Sequence, residues 1–417
     1  MLNTMVKRIL GILLIGILGY SPSHAQSRSL QYYINRAFAN SAAIKEQQHA
    51  VASSQIDQKL NRAQLKKPNI NATGDYLLAP SNSRLGFNEA ITNGGLYSAL
   101  LNVDYPLLTG KNLEVKNRKS AASRKRSEYQ IRFIRHNLRQ SVTGQYITAF
   151  QAYSRITYLQ EVINLMQKQE NVVQQLAQQG AARYTDLKQL QLELKNLTLQ
   201  KEAQQNHYRS ALGDLNAMIG ITDTSQVRLQ QPGLSYDPSQ TDTSRFMRKF
   251  KLDSLNLALQ QRVSDLKYRP QLSVTGSSGL NAVKFSGLDN RYGFSVGLHF
   301  SLPIYDGHQK NLHRQQTQLQ EASVMDYKTK FKDQRTMKLQ SLQGQIASLR
   351  KQLDELNRQI KEYRSLLTTY QKELQHGEVS VLDYLRVLRN FQDTLNQRVQ
   401  LRGQRWQLIN TFNYWNW

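Results

Sequence analysis

Side chains able to do covalent or metal chemistry are few in this sequence, and their spacing does not suit it. Of the eight histidines, His308 and His313 stand five apart at a helix start, while His136, His207 and His376 are isolated. No metal-ligand spacing results. The absence of cysteine removes thiol nucleophiles, disulfides and a lipidated N-terminal cysteine together. There is no glycine-rich phosphate loop, no Ser-His-Asp set with a supporting context, and no recurrent carboxylate pair in apolar surroundings. The chain therefore reads as no enzyme, with no cofactor and no metal. What remains is a pair of acids, Asp186 and Asp383, each six residues after a glycine, Gly180 and Gly377. An aspartate so placed can cap a helix or stabilise its dipole from the first turn, with Thr185 beside Asp186 fitting a helix start. The glycines need do no more than make the turn.

The elements that position these acids occur twice. Gly180 and Asp186 lie 197 positions before Gly377 and Asp383, and the same offset separates Pro106 from Pro303 and Gly110 from Gly307. Four anchors sharing one offset indicate an internal duplication. Upstream, Pro68, Thr73 and Gly74 match Pro270, Thr275 and Gly276 at an offset of 202, so the length difference falls in the loop between paired strands. The repeat unit is a short helix, two strands joined by a loop, a very long helix, a tight turn and a second long helix.

Tyr292 to Leu302 alternates bulky apolar with small or polar residues, the period of a strand, and breaks at Pro303 and Gly307. Tyr97, Ala99, Leu101, Val103 and Tyr105 do the same before Pro106 and Gly110. Strands are expected near 68–79, 95–105, 270–280 and 291–302, with Pro80 to Gly95 as a loop. Long helices are expected over 110–179, 185–218, 307–376 and 380–412, because no proline interrupts them. A helix over 110–179 would reach roughly 100 Å. Residues 27–66 read as one further helix ending at Pro68. Val142, Tyr146, Ala149, Tyr153 and Ile156 step by four and three, as do Leu187, Leu190, Leu194 and Leu197. The seam is clearest from Leu339 through Leu342, Ile346, Leu349, Leu353, Leu356, Ile360, Tyr363, Leu367 and Tyr370 to Leu374, a narrow coiled-coil stripe on an otherwise polar helix.

Residues 1–25 carry Lys7 and Arg8, an apolar run from Ile9 to Tyr20, and Ser23, His24, Ala25 before Gln26. This is expected to be a signal peptide cleaved after Ala25; a membrane anchor would need about 20 apolar residues. The organisation then runs 26–221 for the first repeat, 222–243 for a linker and 244–417 for the second. The formal charge of +25 becomes +23 without the leader. Export argues against nucleic acid as the partner. Most of the charge reads as solvated helix faces, such as Lys116, Arg118, Lys119, Arg124, Lys125 and Arg126. Phe412, Tyr414, Trp415 and Trp417 read as an anchor at a membrane interface, with a frayed, partly packed tail as the alternative.

Each strand is as long as a tilted transmembrane strand must be, but four cannot close a barrel in lipid. Three copies would supply twelve. Signal peptide, duplicated order, proline-to-glycine strand exits and two turn motifs, Gly180 to Leu187 and Gly377 to Tyr384, together resemble the TolC-type outer membrane efflux protein family over nearly the whole mature chain. The resemblance implies a mainly α fold with a small β part, assembled as a homotrimer. A twelve-stranded barrel in the outer membrane of a Gram-negative bacterium would continue as a long α-helical periplasmic tunnel. It also implies a passive exit duct of a tripartite efflux or type I secretion system, gated at the helical tip. The duct would be served by a periplasmic adaptor and driven by an inner-membrane pump. Asp383 falls on the aspartate of an acidic constriction ring and Asp186 on its counterpart in the first repeat. Where the family has a second acid, an arginine and a tyrosine, this chain has Arg386, Val379 and Leu374, so the usual lock between helices is not reproduced. Two other readings remain: a periplasmic adaptor, which would have one hairpin rather than two, and an exported basic coiled-coil protein that binds an acidic surface.

Overall fold

A computed structural model describes residues 27–78, 95–223, 227–239, 244–283 and 290–417. The expected signal peptide, the loop after Pro80 and part of the linker fall outside these. The chain is mainly helical and divides into two compact units: the described residues of 27–41, 135–241 and 336–417 form one, and those of 42–134 and 242–335 the other.

The second unit is organised by a four-stranded antiparallel sheet. The chain enters it after α1 (Leu30–Asn40) and α2 (Ala42–Lys66), following a short β1 (Ser27–Arg28). The expected single helix over 27–66 is thus two. Asn40 and Ser41 interrupt it with extended backbone at Ser41 (φ −65°, ψ 113°). The Asn40 amide donates to the Ile219 carbonyl at 2.8 Å, a bond formed with distant sequence in competition with the helix. The sheet consists of β2 (Asn69–Leu78) and β3 (Gly95–Pro106), and, after the two-residue β4 (Arg228–Leu229) and α5 (Ser244–Asp265), of β5 (Gln271–Ala282) and β6 (Tyr292–Ser301). Its order is β2-β3-β5-β6, so β3 and β5 join the two repeats and β2 and β6 are open edges.

The first unit is held by long antiparallel helices. These are α3 (Gly110–Gln178) from residue 135 on and α4 (Tyr184–Met218) in the first repeat, α6 (Gln309–Gln375) from residue 336 on and α7 (Val381–Trp415) in the second. Tyr184 and Val381, and likewise Met218 and Trp415, stand 197 apart, so the duplication extends to helix boundaries. The narrow seam is buried as its spacing requires: Leu342, Ile346, Ile360, Leu367 and Leu374 are each 3 % exposed or less. A second cluster joins Tyr33, Ile34 and Ala37 of α1 to Val142, Tyr146 and Ala149 of α3 and Leu212 and Leu215 of α4. The Tyr146 hydroxyl donates there to the Gln230 carbonyl at 2.6 Å, satisfying its one polar atom beside the parallel pair β1–β4.

The C-terminal aromatics pack in part on the protein's own helices. The last helix continues to Trp415, Phe412 is fully buried with Leu339, Leu342, Ile346 and Ile409, and Tyr414 and Trp417 both stack on His136 at centroid distances of 4.8 and 4.4 Å. Tyr414, Trp415 and Trp417 stay half-buried.

Candidate functional site: a two-faced sheet and paired helix turns

Directly paired residues of an antiparallel sheet point to the same side. The register therefore sorts the sheet into two faces. Ile70 pairs with Val103, Ala72 with Leu101 and Tyr76 with Tyr97. Val103 pairs with Gly276 and Leu101 with Ser278. Gly276 pairs with Val296, Ser278 with Phe294 and Leu272 with Phe300. Among the described strand residues this face carries no charge. On β6 it is also bare within the chain: Phe294 is 85 % exposed and Val296 76 %. The opposite face holds Asn71, Thr73, Asp75, Ser98, Asn102, Ser277, Ser295 and His299, knitted by side-chain hydrogen bonds from Ser98 to Asp75 (2.9 Å), from Asn102 to Thr73 (2.8 Å) and between Ser277 and Ser295 (2.8 Å). A sheet in water hides its apolar face on a core and wets the other. This sheet is inverted in that sense: its apolar face is left exposed, and the other face is a polar ladder.

Tyrosines mark one border of the apolar face. Tyr76 packs edge-on against its partner Tyr97 (5.2 Å), and the Tyr292 hydroxyl bonds Ser278 at 2.8 Å. Tyr105 and Phe300 lie near the other end, and the eight steps from Tyr97 to Tyr105 span roughly 27 Å along the strand. That matches an apolar band bordered by aromatic girdles.

The strand exits differ in construction. After Pro106, the Leu107 N–H reaches the Leu272 carbonyl at 2.8 Å and Gly110 opens α3 with ordinary backbone. After Pro303, Gly307 (φ 64°) and His308 (φ 63°) are both left-handed. His308 is strained there, a conformation histidine tolerates better than branched residues. The Asp306 carboxylate accepts from the Lys310 N–H at 2.7 Å and holds the helix start; that bond keeps its pKa below the usual carboxylate range.

In the first unit the two turns are built on Gly180 (φ 74°) and Gly377 (φ 72°), both left-handed as a helix end of this kind demands. Asp186 and Asp383 follow in the first turns of α4 and α7. They are not equivalent. Ser380 caps α7 by accepting the Asp383 N–H (3.2 Å) and donates its hydroxyl to the Asp383 carboxylate (2.7 Å), whereas Arg183 occupies the cap of α4 with no side-chain bond. Arg386 sits one turn on with Nη1 3.9 Å from Asp383; both ends are exposed, so the pair contributes little to stability.

Sequence reasoning missed what holds the two turns to each other. Leu374, Val379, Val381 and Tyr384 of the second repeat join Val173, Ala182, Leu187 and Leu190 of the first in one apolar cluster. Residues that look like losses of a polar lock, Leu374 and Val379, are members of this contact. Further along, Arg364 bonds Glu161 at 2.7 Å and Arg389 bonds Glu193 at 2.8 Å, linking α6 to α3 and α7 to α4.

Comparison places this geometry among known proteins. Residues 257–411 match the family of outer membrane efflux proteins. Solved structures share the fold over 93 % of this chain. The outer membrane protein VceC of Vibrio cholerae has 12 % identity, 96 % of its own chain covered and a TM-score of 0.71. The open state of the MtrE outer membrane channel of Neisseria gonorrhoeae has 14 % identity, 88 % coverage and a TM-score of 0.71. The CmeC outer membrane channel of Campylobacter jejuni has 17 % identity, 85 % coverage and a TM-score of 0.68. At such identities the likeness is one of fold. No curated protein matches the sequence.

Proposed function

We propose that this chain, similar to outer membrane efflux proteins in sequence over its second repeat and in fold throughout its described length, is the passive exit duct of a tripartite efflux or type I secretion system. It works as a homotrimer in the outer membrane of a Gram-negative bacterium, where three four-stranded sheets close a barrel around an aqueous lumen. The observation that carries this reading is the inverted sheet: an exposed, uncharged apolar face of membrane height, a hydrogen-bonded polar face, and two open edges. One copy alone would leave those edges unpaired in lipid, which the bilayer does not tolerate. Energy comes from an inner-membrane pump docked through a periplasmic adaptor, and cargo choice rests with that pump.

The paired helix turns form the resting gate, with three copies of Asp383 and Arg386 lining it. A ring of mixed sign is less cation-selective than an acidic one. Asp383→Ala is expected to shift the reversal potential of the open pore across a salt gradient toward anion preference. The reading as a whole is tested by the protein mass of the detergent-extracted mature chain, from light scattering with the detergent subtracted. Three protomers are expected; a water-soluble monomer would overturn it and favour an adaptor or exported binding protein.

A further inference from the structure

Both edges of the sheet, β2 and β6, are open within the chain, and the duplication shows what each of them fits. The offsets of 202 from β2 to β5 and 197 from β3 to β6 carry one observed pairing onto another. Asn69 with Asp104 becomes Gln271 with Ser301, and Leu78 with Gly95 becomes Leu280 with Tyr292, the pairs that β5 and β6 form. The two hairpins are copies in register as well as in order.

The joint between the repeats, β3 against β5, has a counterpart that one chain cannot make alone. Its equivalent strands are β6 and β2, and a second copy set edge to edge brings them together in the antiparallel sense. The same offsets then fix the pairing. Val103 opposite Gly276 becomes Phe300 opposite Gly74 of the next copy, Leu101 opposite Ser278 becomes Leu298 opposite Tyr76, and Asn102 opposite Ser277 becomes His299 opposite Asp75. The bond from the Leu107 N–H to the Leu272 carbonyl becomes one from Ile304, 95 % exposed in the single chain, to the Ile70 carbonyl. Asn102 lies five residues from Leu107, so its pair is of the type without mutual backbone bonds, in which side chains come closest.

Side-chain chemistry agrees with this register and not with its neighbours. A slip of one residue would join the apolar face to the polar one. A slip of two would set His299 against Thr73 or Leu77, and Phe300 against Ala72 or Tyr76. The unslipped register lays an aromatic ring over a strand glycine and a histidine beside a carboxylate. Ser98 donates to Oδ2 of Asp75 at 2.9 Å from the β3 side, which leaves Oδ1 to accept from an imidazole N–H on the other.

We propose that copies of this chain join through β6 of one and β2 of the next in this register, with His299 bonded to Asp75 across each seam on the polar face. The proposal rests on the duct reading and adds to it the pairing and the contact by which one copy recognises another.

The test is disulfide cross-linking of the detergent-extracted mature chain, which has no cysteine of its own. Thr73→Cys with Ser301→Cys and Asp75→Cys with His299→Cys are matched pairs; Thr73→Cys with His299→Cys and Asp75→Cys with Ser301→Cys are each two residues out. After oxidation with copper phenanthroline, the matched pairs are expected to give covalent dimer and trimer on a non-reducing denaturing gel. The offset pairs should react about 5-fold more slowly or less, because their Cα atoms stand too far apart for an unstrained bridge. The first matched pair leaves His299 and Asp75 intact, which preserves the test if the second does not assemble. His299→Asp opposes two carboxylates at each seam and should lower trimer yield about 3-fold or more. Adding Asp75→Lys to it should restore the yield. Three protomers by light scattering together with faster cross-linking of an offset pair, no cross-linking of either matched pair, or no rescue would overturn the register and leave the duct standing. A monomeric mass would overturn both.

Discussion

At the scale of single residues, the sheet depends on a glycine that the sequence marks only as one among several. Gly279 has φ 150°, and a Cβ there would lie 2.1 Å from the Ala99 carbonyl oxygen across the β3–β5 pairing. Among the described residues that pairing is the one place where the strands of the two repeats meet. Gly293, its cross-strand partner, has no atom within 4 Å of the equivalent position. Gly279→Val is therefore expected to abolish the detergent-resistant assembled form while Gly293→Val retains it, as gel mobility with and without heating would report. The backbone strain alone costs roughly 1–3 kcal/mol, and the clash adds to it because the blocking atom is main chain. Equal assembly of the two variants would show that the repeats are not joined through this pair. Alternation locates the strands in the sequence, but it is blind to which glycine touches a neighbouring backbone.

Helices and turns show what periodicity reveals and what it hides. The seam from Leu339 to Leu374 was legible because a 3–4 spacing on a polar helix leaves one way to bury it, and its leucines are buried except Leu349, which is half-buried. The break at Ser41 was not, because Ile34, Ala37 and Ile44 continue the helical rhythm across it and its cause is the bond from Asn40 to residue 219. Links between the hairpins were likewise hidden: Arg364–Glu161 and Arg389–Glu193 join residues 203 and 196 apart, which no local pattern signals. The turns themselves were placed by the repeat offset, yet their contact is apolar where polar chemistry was sought. Leu374→Asn puts an amide into the cluster with Leu190 and Tyr384 and should cost about 3 kcal/mol or more. Hydrogen exchange is expected to quicken on both sides of Gly180 and Gly377, and resting conductance to rise. Leu382→Asn, at a site 48 % exposed, should change neither. If Leu374→Asn left exchange at the first-repeat turn untouched, the two turns would not be coupled through this cluster.

For the whole molecule, the high positive charge and the inverted sheet have separate explanations. Of the basic residues on the long helices, Arg118 pairs with Glu114, Arg126 with Asp253 and Arg314 with Asp265, mostly at exposed sites, as expected of solvated faces. The sheet, by contrast, is what the proposed duct requires in a second solvent. In water, the exposed row of Phe294, Val296, Leu298 and Phe300 next to an open edge would invite aggregation. In lipid such a surface is the one required, and in the proposed barrel the polar face would border the lumen. Adjacent positions on β6 separate the two cases because they point to opposite sides. A lysine on a lipid-facing strand costs about 2–4 kcal/mol at mid-bilayer, whereas one facing a lumen is solvated. Val296→Lys is expected to cut the yield of membrane-inserted trimer sharply, while Ser295→Lys assembles normally and moves the open pore toward anion selectivity. Both are read from detergent-extracted trimer and from reversal potentials in planar bilayers. If Ser295→Lys were the variant that failed to insert, the faces would be exchanged and the barrel would have to close with Phe294 and Val296 inward, filling its own lumen.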